Sequence, residues 1–282
     1  MEDKSLKTLL LQQKIGVILR YVVMVIFALT TITPFLWLLL SSFKTNSEIY
    51  ANPFGLPAHF NFDNYRTAWS AAHISQNLFN SLIISTFAVA LCLLIGAMAA
   101  YVLTRVSPNL FFYSYFTLGI MIPVHTILIP TFILMKNFHL YNTLYGMIIL
   151  YAVSNLSLAI FILAGFMKSM PKEIEEAAIM DGCSLPQVFF KIILPLSKPG
   201  LATVGILTFL NCWNEYLFAY VLLSKNELKT ITQAIYSLQG SYNTNYGPLT
   251  AGLVIAVVPV FLIYMIFQEQ VIEGMTAGAV KG

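Results

Sequence analysis

Long apolar stretches alternate with short polar segments along this chain, and the stretches are too long to be the buried faces of ordinary helices or strands. They fall at approximately 21–43, 78–102, 110–135, 143–167, 201–223 and 249–267. A bilayer core of roughly 30 Å needs about 20 predominantly apolar residues per helical crossing, so each stretch predicts a membrane-spanning helix. The predicted fold class is an all-α integral membrane protein with about six transmembrane helices, forming a single transmembrane domain over residues 1–282. Little chain is left for a separate soluble domain.

Composition agrees with this. Hydrophobic residues make up 58% and charged residues only 10% of the chain, and the mean hydropathy is +0.78, too few charges to clothe a water-soluble globule. Lys4, Lys7, Lys14 and Arg20 precede the first stretch in the manner of a secretory signal. That stretch exceeds the ~7–15 residues of a signal core and lacks an A-x-A cleavage pattern, so a retained helix is expected. With the N-terminus inside, ten Lys and Arg fall on inner segments (Lys4, Lys7, Lys14, Arg20, Arg105, Lys168, Lys172, Lys191, Lys198, Lys281) and five outside (Lys44, Arg66, Lys136, Lys225, Lys229). Both termini are therefore expected to be cytoplasmic. The net charge of +3 fits that bias and gives no reason to invoke nucleic acid. Cys92, Cys183 and Cys212 have no C-x-x-C spacing and read as packing residues, implying neither a metal site nor a disulfide framework.

Three loops are long: about 44–77 and 224–248 outside, and 168–200 inside. The inner one carries Glu173, Glu175, Glu176 and Asp181 among lysines and prolines, and two short helices are expected in it. Pro171 suits an early helix position, the glutamates complement the positive end of the helix dipole, and Gly182 is a stop. Ser184 and Gln187 have capping-box spacing for a second helix that Pro195 ends. Ile174, Ala177, Ala178 and Asp181 share one face of the first helix, where small residues would let another backbone approach, and Val188, Phe189 and Ile192 form an apolar stripe on the second. The segment is either a docking element or an elbow lying on the membrane surface.

Inside the apolar stretches, Pro123 and Pro130 interrupt the third and Pro259 the sixth. Such breaks are tolerated where a helix is buried in protein or lines an aqueous cavity. His125 lies between the first two prolines, and Asn211, Trp213, Asn214, Glu215 and Tyr216 cluster in the fifth stretch. An ionisable group at that depth needs a partner or water. Glu215, with Trp213, Asn214 and His125, is therefore a candidate for a translocation pathway; a structural hydrogen bond between helices is the alternative for Glu215 and for His125. Gly96, Ala97, Ala99 and Ala100 read as a close-packing surface between helices.

Glu176-Ala177-Ala178, three residues, Gly182, nine residues, then Ile192-Ile193-Leu194-Pro195 matches the signature E-A-A-x3-G-x9-I-x-L-P at all seven specified positions. On this motif the chain resembles permease subunits of ATP-binding-cassette importers. Ser42-Phe43-Lys44, Asn64-Tyr65, Trp213-Asn214-Glu215-Tyr216 and the ending Gly274 to Gly282 are similar to the carbohydrate-uptake branch, and to the maltose-type second permease in particular. The resemblance implies the type I importer permease fold in a bacterial or archaeal cytoplasmic membrane. It implies as partners a homologous permease subunit, two ATPase subunits that bind ATP and Mg, and an extracytoplasmic sugar-binding protein.

This chain has no G-x4-G-K-[ST] phosphate loop and is expected to hold no cofactor itself, so it is not read as an enzyme. By resemblance, Glu176, Ala177, Ala178, Gly182, Ile192, Leu194 and Pro195 form the coupling helix seated on an ATPase, with Ala178 and Gly182 permitting close approach. Thr276, Gly278 and Lys281, in a tail of 268–282, would run along the ATPase dimer. Gly240, Tyr242, Asn243, Asn245 and Tyr246 are similar in position to a scoop entering the binding protein's sugar cleft, with an ordinary polar turn as the alternative. The expected cargo is an oligosaccharide; other cargoes in the same class are a polyol or glycerol phosphate. An ion-coupled secondary transporter is the competing mechanism, and it would want more embedded charge and an internal repeat.

Overall fold

The computed structural model describes residues 2–240 and 244–279, with side chains over 13–240 and 244–269. Every regular element among them is helical. Four helices are long and apolar enough to cross a membrane, or six if each of two bent pairs is one span.

One compact unit comprises Met1–Ser70 and Leu238–Val254. Its first helix, α1 (Glu2–Ser41), has none of its spanning segment buried, with Phe27 and Ile18 among many exposed apolar side chains. In water such a stripe would be an aggregation surface; here it is surface made for lipid or another helix. At its end the chain knots. Asn64, on α3 (Asp63–Ala71), donates its amide to the carbonyls of Ser42 (2.8 Å) and Lys44 (2.9 Å), and the Ser42 and Tyr65 hydroxyls meet at 2.7 Å. Lys44, 1% exposed, donates to the carbonyls of Asn52 and Pro53 just past α2 (Asn46–Ala51), where a cation complements the negative helix end. Phe43 packs against Phe60, Phe62 and Tyr65. Ser42-Phe43-Lys44 and Asn64-Tyr65 are thus two halves of one structural knot.

The other unit, Ala71–Ser237 with Ile255–Gly282, is built around α4 (Ile74–Tyr101) and α7 (Leu144–Ser169). Small residues set their spacing: Ala88, Cys92, Gly96, Ala97 and Ala100 on α4 are buried with Ala152, Ala159 and Ala164 on α7. A Cβ on Gly96 would stand 3.1 Å from that of Ala159, closer than ordinary contact. Where lipid supplies no hydrophobic drive, this close packing is what holds the helices together.

The third apolar stretch is not a straight span. It divides into α5 (Leu110–Leu118) and α6 (Leu128–Asn137), bent 92° around Pro123, while Pro130 sits harmlessly in the first turn of α6. The inner loop folds as α8 (Glu173–Met180), α9 (Leu185–Val188), a π-helical stretch over Phe189–Ile193 and α10 (Leu194–Leu196). Pro195 does not end this second helix. The chain turns by 75° after Leu196, at Ser197, whose N–H still closes on the Ile193 carbonyl at 2.9 Å. The fifth apolar stretch also differs from expectation: α11 (Lys198–Asn214) stops at Glu215, and α12 (Leu217–Leu222) starts anew after the break. A short α13 (Ile231–Ser237) follows, and α14 (Tyr246–Ala279) carries Pro259 inside it.

Candidate functional site

Two regions of the larger unit bear on function: the α8–α10 segment and the break after α11.

Helix α8 is one of the most exposed in the unit. Of its residues only Ala178 is buried, at 7% exposed, while Ile174, Glu176, Ala177, Ile179 and Met180 are open. It ends in a Schellman turn: the Cys183 N–H reaches the Ala178 carbonyl at 3.0 Å and the Gly182 N–H that of Ile179 at 2.9 Å, with Gly182 at φ +85°. Nothing lies within 4 Å of a Cβ built on Gly182, so within this chain the glycine answers to backbone conformation and not to crowding. The Gln187 carboxamide accepts the Ser184 N–H at 2.8 Å, the capping geometry that the spacing predicted.

The structure shows what the small residues and the apolar stripe meet within this chain. Ala178 faces the protein's own core, and so do Val188 (0% exposed) and Phe189 (4%), the latter packed on Tyr101 with ring centroids 5.3 Å apart. A short helix cannot hold its place by propensity alone, and these residues are what attach the segment to the bundle. The face left open on α8 consists of Ile174, Glu176, Ala177, Met180 and Asp181. Ile192 and Leu194 are half-buried and Pro195 is exposed.

Beneath this segment lies a polar joint absent from the sequence-based site. Arg105, in the π-helical turn that ends the second span, pairs with Glu175 of α8 at 3.2 Å; their side chains are 4% and 13% exposed. The same guanidinium donates to the carbonyls of Met167, from Nε at 3.0 Å and also from Nη2, and of Met170, at the end of α7. The Tyr101 hydroxyl donates to Glu175 at 3.4 Å. Arg105 counted only toward orientation in the sequence, and Glu175 only toward the helix dipole. The available signal was an arginine standing alone at the end of an apolar span, where a partner has to be sought.

At the break after α11, Glu215 accepts three hydrogen bonds: from the Tyr151 hydroxyl at 2.5 Å, the Phe218 N–H at 2.7 Å and the Ala219 N–H at 3.1 Å. Its own carbonyl accepts the Thr232 hydroxyl at 2.9 Å. The carboxylate therefore satisfies the free N–H groups of the restarted helix and ties it to α7. Asn155 continues the polar line, taking the Asn211 amide at 2.9 Å. Gln233 donates to the carbonyls of Ala219 and Leu223, and Asn80 to those of Glu227 and Lys229, so α12, α13 and α4 are stitched together. Trp213 is 3% exposed, stacked on Phe209, with its indole N–H on the Ala256 carbonyl at 3.2 Å; Asn214 is exposed. His125 is exposed on the 3-10 turn at the 92° bend, an element separate from the Glu215 break.

In the smaller unit, the stem of the candidate scoop is anchored. Asn46 donates to the Thr244 carbonyl at 3.3 Å and accepts the Tyr246 N–H at 2.8 Å, and Tyr246 packs edge-on against Tyr50. Gly240 and Asn245 are exposed. Tyr242, Asn243 and Lys281 lie outside the described residues, and only the helical backbone is described at Thr276 and Gly278. The three cysteines are free thiols, and no group of His, Cys, Asp or Glu among the described residues could hold a metal ion.

Residues 92–276 match the family model of binding-protein-dependent transport system inner membrane components. The chain is 36% identical, over 93% of its length and 88% of the relative's, to a diacetylchitobiose uptake system permease of Streptomyces coelicolor. It is 34% identical, over 94% of each chain, to a sulfoquinovosyl glycerol transport system permease of Agrobacterium fabrum. Among solved structures, a chain of a bacterial transporter for the acidic polysaccharide alginate superposes with a TM-score of 0.78 at 25% identity, over 91% of this chain and 96% of that one.

Proposed function

The chain belongs to the family of binding-protein-dependent transport system inner membrane components, and on that premise we propose that it is one permease subunit of an ATP-driven importer of oligosaccharides. It is a multi-pass protein of the bacterial cytoplasmic membrane. A solute-binding protein delivers the sugar, a homologous permease completes the pathway, and two ATPase subunits supply the energy. The Lys and Arg distribution supports termini and the α8–α10 segment on the cytoplasmic side. The relatives named above carry a chitobiose derivative, a sugar–glycerol conjugate and an acidic polysaccharide, which supports a sugar-containing cargo as the shared feature.

The observation that carries this reading is the open face of α8, presented by the Gly182 turn within the E-A-A segment. Met180 is 86% exposed there, beside Glu176 and Ala177, as befits a surface that is covered only when a partner docks. Motion of the docked ATPases would shift this segment and, through rigid helices, switch access of the pathway from one membrane side to the other. Glu215, already accepting three hydrogen bonds, acts in this scheme as the fixed point of the broken fifth helix.

Affinity purification of the tagged chain in mild detergent tests the reading. A second permease, an ATPase at twice this chain's amount and a solute-binding protein are expected to co-purify with ATP hydrolysis. Met180→Glu should release the ATPase while leaving the chain in the membrane. A chain that purifies alone and moves solute into liposomes under an ion gradient would overturn the assignment.

A further inference from the structure

We propose that Arg105, Glu175 and Tyr101 form the joint through which movement of α8 reaches the spanning helices α4 and α7. The inference rests on the coupling role given to α8 above and names the residues that perform it inside this chain.

Helix α8 has eight residues, one buried side chain and a mostly open outer face, so apolar packing alone gives it little purchase on the bundle. Glu175 supplies the missing attachment. It is the half-buried carboxylate of the helix, directed inward, whereas its neighbours Glu173 and Glu176 are exposed. The sequence pair Glu175-Glu176 thus divides its work, one residue toward the bundle and one toward the open face. Arg105 is connected on both sides. Its guanidinium holds Glu175 at 3.2 Å and the terminal carbonyls of α7 at Met167 and Met170, while its backbone continues directly from α4. The charges agree with the dipoles: the cation lies at the carbonyl end of α7 and the anion in the first turn of α8.

Tyr101 completes the arrangement. Its hydroxyl reaches Glu175 and its ring packs on Phe189, in the π-helical stretch after α9, so both halves of the coupling segment meet α4 at this one residue. The ion pair is a single buried contact between Arg105 Nη1 and Glu175 Oε1, and the guanidinium is held in place by its hydrogen bonds to the Met167 and Met170 carbonyls, so removing one charge leaves the other buried without compensation. Push or pull on α8 is therefore delivered to the ends of two spanning helices together.

The test is a double-mutant cycle on the co-purified complex in liposomes, comparing Glu175→Gln, Arg105→Gln and the double variant for sugar uptake per ATP hydrolysed. Each single variant should keep its ATPase and lower that ratio about tenfold, within the roughly 5- to 150-fold span of typical coupling energies. The double variant should fall no further than Arg105→Gln alone, because the Arg105–Glu175 pair is already broken there. An unchanged ratio in both single variants with the ATPase still bound, or losses that multiply in the double, would overturn the joint. If the charge variants fail to accumulate, Tyr101→Phe decides: it deletes one hydroxyl and keeps the ring on Phe189, so a lowered ratio supports the joint and an unchanged one refutes it. A wild-type chain that brings down no ATPase fails earlier, and removes the coupling reading together with the joint.

Discussion

Glu175, in the polar inner segment, and Glu215, at the break in the fifth apolar stretch, are each half-buried, yet the fold stabilises them in different ways. Glu175 faces a cation, Arg105, contributed by another helix; Glu215 faces a phenol and two backbone N–H groups and, among the described residues, no cation. The first arrangement joins separate elements and transmits force between them. The second caps a helix restarted two residues later and fixes a bend within one stretch of chain. A charge at membrane depth is thus no sign of ion transport by itself. What it does depends on whether its partner is another charge or the ends of a broken helix.

The comparison can be broken most forcefully at the bend. Glu215→Ala leaves the Tyr151 hydroxyl and two N–H groups without their acceptor, a loss of roughly 3 kcal/mol or more, to be read as a lower unfolding midpoint of the purified chain. Glu215→Gln keeps an acceptor oxygen and should retain most uptake; abolished uptake in a stably folded Glu215→Gln protein would show that the charge itself serves transport. Next in size is Gly182→Ala, which forces an L side chain to φ +85° and should cost about 1–2 kcal/mol. Because α8 is the element affected, the loss should appear as weaker ATPase retention before any change in membrane insertion.

The smallest effect belongs to a third glutamate, half-buried in the outer segment. Glu48 accepts the N–H and hydroxyl of Thr45 at 2.8 and 2.9 Å, and these bonds hold its carboxyl below the usual value. A depressed carboxyl stabilises the fold above the ordinary carboxylate range, and the contribution is lost as pH falls through the lowered value. Glu48→Gln should accordingly leave unfolding unchanged at acid pH and lower the midpoint only slightly at neutral pH, as a cap at the protein surface should.

Some of this was readable from residue order. Gly182 as a helix stop and the Ser184–Gln187 cap are local events decided within four residues, and both stand in the structure. The break at Glu215 was hidden because Leu217–Leu222 is as apolar as the helix before it, so a hydropathy window runs straight through. What the apolar stripes meet was hidden for a related reason. Periodicity groups Ala178 or Val188 with its neighbours on a face, but it cannot say which face meets the rest of the chain and which meets a partner.

Hydropathy and the E-A-A signature thus determined by themselves the all-helical membrane class, the approximate apolar stretches and the long polar segment before the fifth of them, since each depends on residues close together in the chain. Only the tertiary structure decided that Arg105 meets Glu175 across 70 residues, that Tyr151 meets Glu215 across 64, and that Lys44 and Asn64 close one knot. Those pairings follow from which helices pack together. Packing is settled by the sum of many weak contacts between distant segments, and no single stretch of sequence contains it.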